Sequence, residues 1–257
     1  MLPRAKKNYG QNFLVDAGVV RKIVEAAEIR PGESVLEVGP GTGTLTEALV
    51  AAGAKVVAVE ADHDLIPALR EKFGDSIELI ESDIQSLASA RLLLTLSFGY
   101  KLVANIPYNI TSVLIRRFLT EQNPPSRLVL MVQREVADRM LAEPPDMSLL
   151  SVACQLYADV SRIANVPAGA FRPIPKVDSA VVRLDPRLPR PDDLESVIRF
   201  AKAGFSSRRK QLHHNLSDAG LTSSAKAKLA LASLGLPPTA RAENLTVHNW
   251  MELSSLI

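Results

Sequence analysis

Cysteine is almost absent from this 257-residue chain: Cys154 stands alone, which excludes an internal disulfide and any cysteine-built metal cluster. The four histidines are too scattered to assemble a metal site with it, so none is expected. Set in Leu150-Ser151-Val152-Ala153-Cys154, the thiol reads as a buried structural group. Long apolar runs are missing too. No stretch could span a bilayer, and Met1-Leu2-Pro3-Arg4-Ala5-Lys6-Lys7 has no hydrophobic segment of signal-peptide type behind it, so a soluble cytoplasmic protein is expected. Charge of one sign is lacking as well, since 30 basic residues face 28 acidic ones. The distribution is less even. Arg4, Lys6 and Lys7 come without an acid in the first twelve residues, and Ser206-Ser207-Arg208-Arg209-Lys210-Gln211-Leu212-His213-His214 forms a second basic cluster. Either cluster alone reads as a solvated face or as a phosphate-binding patch.

From residue 34 to residue 132, short β-branched runs alternate with helical spacing of apolar residues. Ser34–Val38, Lys55–Glu60, Ile77–Ile80, Tyr100–Ala104 and Arg127–Val132 read as strands, and Thr44–Ala52, Asp62–Phe73 and Thr111–Glu121 as helices. Such alternation predicts an α/β domain with a parallel sheet covered on both faces. An earlier helix is signalled by Asp16 as N-cap, by Val19, Val20, Ile23, Val24 and Ala27, and by the breaker Pro31-Gly32. After a strand-like run at residues 179–184, three prolines between Pro186 and Pro191 suit a semi-rigid linker. Residues 192–257 show helical stretches and no strand pattern. The expected organisation is a Rossmann-like domain over residues 1–186 and a small all-helical domain over 192–257.

Glu37-Val38-Gly39-Pro40-Gly41-Thr42-Gly43 runs from the end of the first strand of this series to a helix start, where glycines let the backbone approach a ligand closely. Glu60 ends the next strand, where a carboxylate meets ribose hydroxyls, and Asp83 follows the third, as a ligand contact or a helix N-cap. Two carboxylates and a glycine turn suit an adenosine without phosphates, which favours S-adenosylmethionine over NAD. The G-x-G-x-G spacing agrees, because it departs from the dinucleotide fingerprint G-x-G-x-x-G.

Asn105-Ile106-Pro107-Tyr108 follows a predicted strand and combines an amide acceptor, a rigid turn and an aromatic ring. The lone pair of an exocyclic adenine amine is delocalised into its ring. Two acceptors, the Asn105 side-chain oxygen and the Ile106 carbonyl, could grip its hydrogens and rotate that lone pair out of conjugation. Pro107 biases Ile106 towards an extended conformation, and Tyr108 offers a stacking face for a flipped base. The plainer alternative is a tight turn with a packed tyrosine.

Taken together with Lys7-Asn8-Tyr9-Gly10-Gln11-Asn12-Phe13-Leu14, Phe171-Arg172-Pro173-Ile174-Pro175-Lys176-Val177-Asp178-Ser179 and Arg241-Ala242-Glu243-Asn244-Leu245, these motifs make the chain resemble the ribosomal RNA adenine dimethyltransferase family, in its bacterial small-subunit form. The resemblance runs almost end to end. It implies transfer of methyl groups from S-adenosylmethionine to N6 of two adjacent adenosines near the 3′ end of small-subunit rRNA, four transfers in all, within a pre-ribosomal particle. It also implies that Asn12 and Leu14 close over the cofactor, Gly39 packs under it beside Gly41, Glu60 holds the ribose, Asp83 the adenine, and Asn105 joins cofactor to target base. Phe171 would face Tyr108 across that base. Lys6, Lys7, Arg208, Arg209 and Lys210 become candidate RNA contacts, and a monomer is the default because the RNA particle is the partner.

Two local departures stand out. Met147-Ser148 replace the Tyr-Gly turn common before the Leu-Ser-Val element, and His213-His214 stand where arginine or asparagine is commoner. Three rivals share parts of the pattern: a large-subunit rRNA dimethyltransferase conferring antibiotic resistance, a non-catalytic RNA-binding factor for assembly or transcription, and a dehydrogenase. Pro40, Val177-Asp178-Ser179 and Arg241-Ala242-Glu243-Asn244 lean towards the small-subunit enzyme.

Overall fold

A computed structural model of the chain describes all residues except 1, 2, 4, 7, 8, 89–91, 93, 94, 107–109 and 189–192. The chain begins with a two-residue strand, β1 (Phe13–Leu14), and then α1 (Ala17–Ala27). Asp16 caps α1 by accepting from the Val19 N–H at 2.9 Å, and Val19, Val20, Ile23, Ala26 and Ala27 bury its apolar stripe. There follow β2 (Ser34–Val38), α2 (Thr44–Ala51), β3 (Lys55–Glu60), α3 (Ile66–Phe73), β4 (Ile77–Glu81), β5 (Lys101–Asn105), α4 (Thr111–Thr120) and β6 (Arg127–Gln133). Each strand sits within one residue of its expected bounds. The expected helix Asp62–Phe73 is shorter. Asp62 caps a single 3-10 turn, and α3 starts at Ile66, where Pro67 suits the first helical turn because its missing N–H is unpaired there anyway.

Later come α5 (Arg134–Met140), α6 (Leu149–Tyr157), β7 (Ala158–Val166), β8 (Phe171–Arg172) and β9 (Ser179–Pro186). The large sheet has the order β4-β3-β2-β5-β6-β9-β7, parallel from β4 to β6, with β9 antiparallel to β6. Strands β2, β5 and β6 are buried nearly throughout, as a sheet covered on both faces requires. From β2 the chain winds outward through β3 and β4, then returns to β5 and continues through β6 on the other side. The order therefore reverses between β2 and β5, and the crevice outside the carboxyl ends of strands at such a point is where this architecture binds ligands. A second, two-stranded sheet pairs β1 with β8, setting Leu14 opposite Phe171.

By packing, the chain divides into Met1–Ala137 with Asp159–Pro186, and Asp138–Ala158 with Arg187–Ile257. The boundaries expected from sequence, 1–186 and 192–257, thus need one correction: residues 138–158 go with the second unit. Hydrogen bonds within that unit give the reason. The Arg187 N–H reaches the Tyr157 carbonyl at 2.9 Å, and the Met147 N–H reaches the Glu243 carbonyl at 3.3 Å. The Met147-Ser148 departure is accommodated as a reciprocal cap in which Ser148 and Ser151 exchange hydrogen bonds at the start of α6. Beyond residue 192 the described residues form α7 (Leu194–Gly204), α8 (Leu212–Asp218), α9 (Ser224–Ser233) and α10 (Val247–Leu256), with no strand. Trp250 is fully buried among them, and Gly204 is required because any Cβ there would run into the Trp250 ring. Among the described residues no helix is long and apolar enough to cross a membrane.

Candidate active site

The carboxyl ends of β2, β3, β4 and β5 open on one cavity of about 400 Å³. Asn12, Leu14, Gly39, Gly41, Glu60, Asp83, Asn105 and Ile106, all singled out from sequence, line it together. Gly41 has φ +60°, and a Cβ there would press on the Phe13 ring at 3.2 Å. Gly43, at φ +75°, leaves no room at all, since its Cβ would sit 2.5 Å from Phe73. The turn between β2 and α2 is therefore shaped by close approach as well as by backbone angle.

Glu60 is 6% exposed, and both of its oxygens brace the cavity wall. Oε2 accepts from the Gly41 N–H at 3.1 Å and Oε1 from the Asp62 N–H at 2.9 Å. Burial raises its pKa, partly opposed by these backbone donors. A carboxylate offers about four acceptor positions, so ribose hydroxyls still find partners on it. Asp83 is exposed at the rim. Its Oδ1 accepts from the Gln85 N–H at 2.8 Å and braces a turn at residues 84–86; no helix starts there, so the helix N-cap weighed from sequence is not what Asp83 makes, and the residue lines the cavity.

Asn105 closes the other side. Its Nδ2 donates to the Asn12 carbonyl at 3.2 Å, an orientation that uses the donor end of the amide and leaves the oxygen as the acceptor. Ile106, 1% exposed, extends the β5–β6 pairing by donating its N–H to the Met131 carbonyl at 3.3 Å. Pro107, Tyr108 and Asn109 lie outside the described residues, as does Lys7. Phe171 is fully buried in the apolar cluster that also holds Phe13, Leu14, Val166 and Val181, so in this conformation its ring presents no surface for a base. The two motifs carrying Leu14 and Phe171 do meet, through the β1–β8 pairing.

Three further side chains at the site were given no role from sequence. Glu37 lines the cavity at 1% exposure, and its Oε2 is one of the buried oxygens with no hydrogen-bond partner among the described residues. Burial pushes its pKa up to about 8; the nearby Thr46 hydroxyl opposes this, although it reaches no good hydrogen-bond geometry, while Glu60 adds to it. A lone carboxylate inside Val35-Leu36-Glu37-Val38 was the available signal. Asp62 and Gln11 form a tether: Asp62 accepts from Lys6 Nζ at 2.6 Å and from Gln11 Nε2 at 2.7 Å, and the Lys6 N–H donates to Gln11 Oε1 at 2.7 Å. This knot fastens the segment that supplies Asn12 and Leu14 to the turn after Glu60.

Lys6 is thereby accounted for. Its ammonium also pairs with Asp64 at 2.5 Å, and these carboxylates hold its pKa well above the ordinary lysine value. An ammonium so engaged is a tether, contrary to the expected RNA contact. Asp62, His63 and Asp64 bring ligand-type atoms together, but the Lys6 ammonium already supplies the positive charge there. In the helical unit Arg208, Arg209 and Lys210 are exposed, and Lys210 pairs with Asp218 at 2.9 Å. His213 is buried between the Ser224 hydroxyl and the Gln211 side-chain oxygen Oε1, at 2.9 and 2.8 Å, and burial lowers its pKa; only His214 of the pair is exposed.

A doubly wound sheet whose strand ends present a glycine turn, a buried carboxylate and an oriented asparagine amide around one cavity defines a Rossmann-like methyltransferase. Residues 3–257 match the family model described as ribosomal RNA adenine dimethylase, and the chain belongs to that family, whose members depend on S-adenosylmethionine. It is 42% identical to the ribosomal RNA small subunit methyltransferase A of Dehalococcoides mccartyi strain 195, covering 97% of this chain and 87% of the relative. It is 43% identical to the protein of the same description from Geobacter metallireducens, over 98% and 94% of the two chains. Among solved structures it superposes on a dimethyladenosine transferase from Plasmodium falciparum with a TM-score of 0.77 at 28% identity, covering 94% and 95%. The 23S rRNA methyltransferase ErmE also gives 0.77, at 27% identity, over 95% and 99%.

Proposed function

We propose that this enzyme transfers methyl groups from S-adenosylmethionine to N6 of two adjacent adenosines near the 3′ end of small-subunit rRNA, in a pre-ribosomal particle. The observation that carries this reading is the fixed Asn105 amide, whose donor end is held by Asn12 while its oxygen remains an acceptor within the same cavity as Glu60. Identities above 40% to small-subunit enzymes, against 27% to the large-subunit one, support the choice of subunit.

The cavity fits the cofactor on two counts: a turn that a Cβ at residue 41 would obstruct, and a buried Glu37 oxygen left without a partner. Gly39 and Gly41 would lie against it, Glu60 would accept from its ribose, Asp83 would reach its adenine, and Asn12 and Leu14 would cover it. When bound, S-adenosylmethionine supplies an electrophilic methyl group on a sulfonium. The protein's own contribution is position and electrostatics. Asn105 Oδ1 and the Ile106 carbonyl accept the two amine hydrogens and turn the lone pair towards the methyl. The methylated amine is acidic as formed and sheds its proton without a dedicated base. For the second transfer one N–H remains, so only one acceptor is satisfied. Tyr108 is assigned the stacking face. Arg208 and Arg209 are proposed RNA contacts of the helical unit, and the enzyme acts as a monomer.

The test is methylation of unmodified small and large ribosomal subunits with labelled S-adenosylmethionine, with products mapped by mass spectrometry. Dimethyladenosine at two adjacent small-subunit positions is expected. Label confined to large-subunit RNA would overturn the assignment in favour of the resistance-type enzyme, and cofactor binding with no transfer would indicate a binding factor.

A further inference from the structure

Beyond the carboxyl end of β6 a second cavity opens, about 340 Å³ in volume and lined by Gln133, Arg134, Glu135, Lys176, Val177 and Asp178. Its walls are held in place. The Arg134 N–H donates to the Asp178 carbonyl at 3.0 Å, Asp178 Oδ1 accepts from the Ala168 N–H at 3.1 Å, and the Arg134 guanidinium stands 3.6 Å from Asp178 Oδ2. Against this frame Lys176 is exposed, and so are two apolar side chains, Ile174 at 62% and Val177 at 46%. Exposed apolar surface between cations, beside a fixed carboxylate, is costly in water and suited to a ligand that is aromatic and anionic at once.

Its position adds to this. Asn105 is paired with Met131, and Gln133 lies two residues further along β6. With strands about 4.8 Å apart and a rise of about 3.3 Å per residue, Gln133 is roughly 8 Å from Asn105. That separation suits neighbouring nucleotides of one strand. The volume lies within the range of pockets that take small molecules, about 300–1,000 Å³.

We propose that this cavity holds the nucleotide adjacent to the one being methylated. Its phosphate lies against Arg134 and Lys176, its base covers Val177 and Ile174, and its amine donates towards Gln133 and Asp178. A phosphate alone would be repelled by Glu135 and Asp178, whereas an adenine amine gives Asp178 a donor. The inference rests on the adenosine-pair reading above and adds to it a place where the second adenosine waits while the first is in the catalytic cavity.

Lys176→Ala and Arg134→Ala, both changes at exposed side chains, test the assignment in two ways. In the first, a short single-stranded oligoadenylate is titrated against the parent and variant proteins at several salt concentrations. The variants are expected to bind several-fold more weakly, with the slope of log affinity against log salt reduced by about 0.7 for each phosphate contact removed, and with unchanged affinity for S-adenosylmethionine. In the second, methyl groups are counted separately at the two adenosines of small-subunit rRNA, and the ratio between the positions is expected to shift several-fold. Unchanged oligoadenylate affinity and slope would overturn the cavity as a nucleotide site. Altered binding with an unchanged ratio would overturn its assignment to the neighbouring adenosine. If the parent leaves small subunits unmethylated, the proposed function fails, while the oligoadenylate titration still decides whether the cavity binds a nucleotide.

Discussion

The two ends of the parallel sheet treat the carboxylates nearest their strands in opposite ways. At the amino ends of the strands every acid named has a cation: Arg127 bridges Glu28 and Asp185 at 2.8 and 2.7 Å, Arg183 bridges the same pair at 2.6 Å each, and Lys101 meets Glu33 at 2.7 Å. The Arg127 and Arg183 guanidiniums hold the Glu28 carboxyl down at about 2. At the carboxyl ends, Glu37 and Glu60 are buried with no cation beside them among the described residues, Lys6 being held by Asp62 and Asp64 in the turn after β3, and burial raises both pKa values. One end is finished by its own side chains and locks α1 to β6 and β9. The other is left electrostatically incomplete, which costs stability and keeps acceptors in place for a ligand.

The largest effect should come from breaking the incomplete end. Asn105→Ala removes an oriented acceptor of the target amine, and single-turnover methylation is expected to slow by about 100–1,000-fold, the scale of losing one preorganised polar group. The thermal midpoint should hardly move; near-parent rates would refute the amine-gripping role. At the finished end the reverse is expected. Arg127→Ala strips partners from two carboxylates and from the Ala26 and Ala27 carbonyls, which should cost about 2–3 kcal/mol in denaturant unfolding while leaving kcat at low temperature intact.

Glu37→Gln sharpens the contrast through pH. A carboxyl whose pKa rises from 4.5 to about 8 on folding keeps a proton that the unfolded chain releases, so its contribution to stability falls as pH rises across that window and levels off above it. The thermal midpoint of the variant should match the parent near pH 4.5 and exceed it progressively up to pH 8; parallel profiles would show that Glu37 is already satisfied. The smallest effect belongs to Glu28→Gln. With the folded pKa lowered to about 2, the parent's contribution is present above 4.5 and lost as pH falls from 4.5 to 2. Because Glu28 is exposed, solvent screening should limit the loss to a slight upward shift of the acid-unfolding midpoint of the variant, measured by circular dichroism.

How much of this could be read from the chain follows from the range of the interactions. Strands β2, β3, β5 and β6 were legible because a strand buried on both faces is written locally, as an apolar run between breakers, and the half-exposed edge strand β4 because its apolar residues stand close together in Ile77-Glu78-Leu79-Ile80. The edge strand β7 was not, since most of Ala158–Val166 is exposed or half-buried and has no apolar alternation to betray it. Strands β1 and β8 have two residues each and exist only as partners of one another. Within the site, Glu60 and the glycine turn announced themselves by position after a strand. Asp62 read only as the first residue of a helix because its partners, Lys6 and Gln11, lie more than fifty positions earlier. The burial of Phe171 was equally hidden, since it depends on what β1 and β9 bring around it.

The pairing of β1 with β8 also sets a schedule. Leu14 precedes Phe171, the residue it pairs with, by 157 positions, so the strand that holds it is made long after it. Closing so long a loop is entropically late, because the ends must find each other before any contact rewards them. Until then the wall formed by Asn12 and Leu14 has no backbone partner on β8, and the nascent protein lacks a finished cavity. The enzyme therefore becomes competent for its cofactor only once this late pairing has formed, and slow pairing of these two short strands would appear as a lag between sheet formation and cofactor binding on refolding.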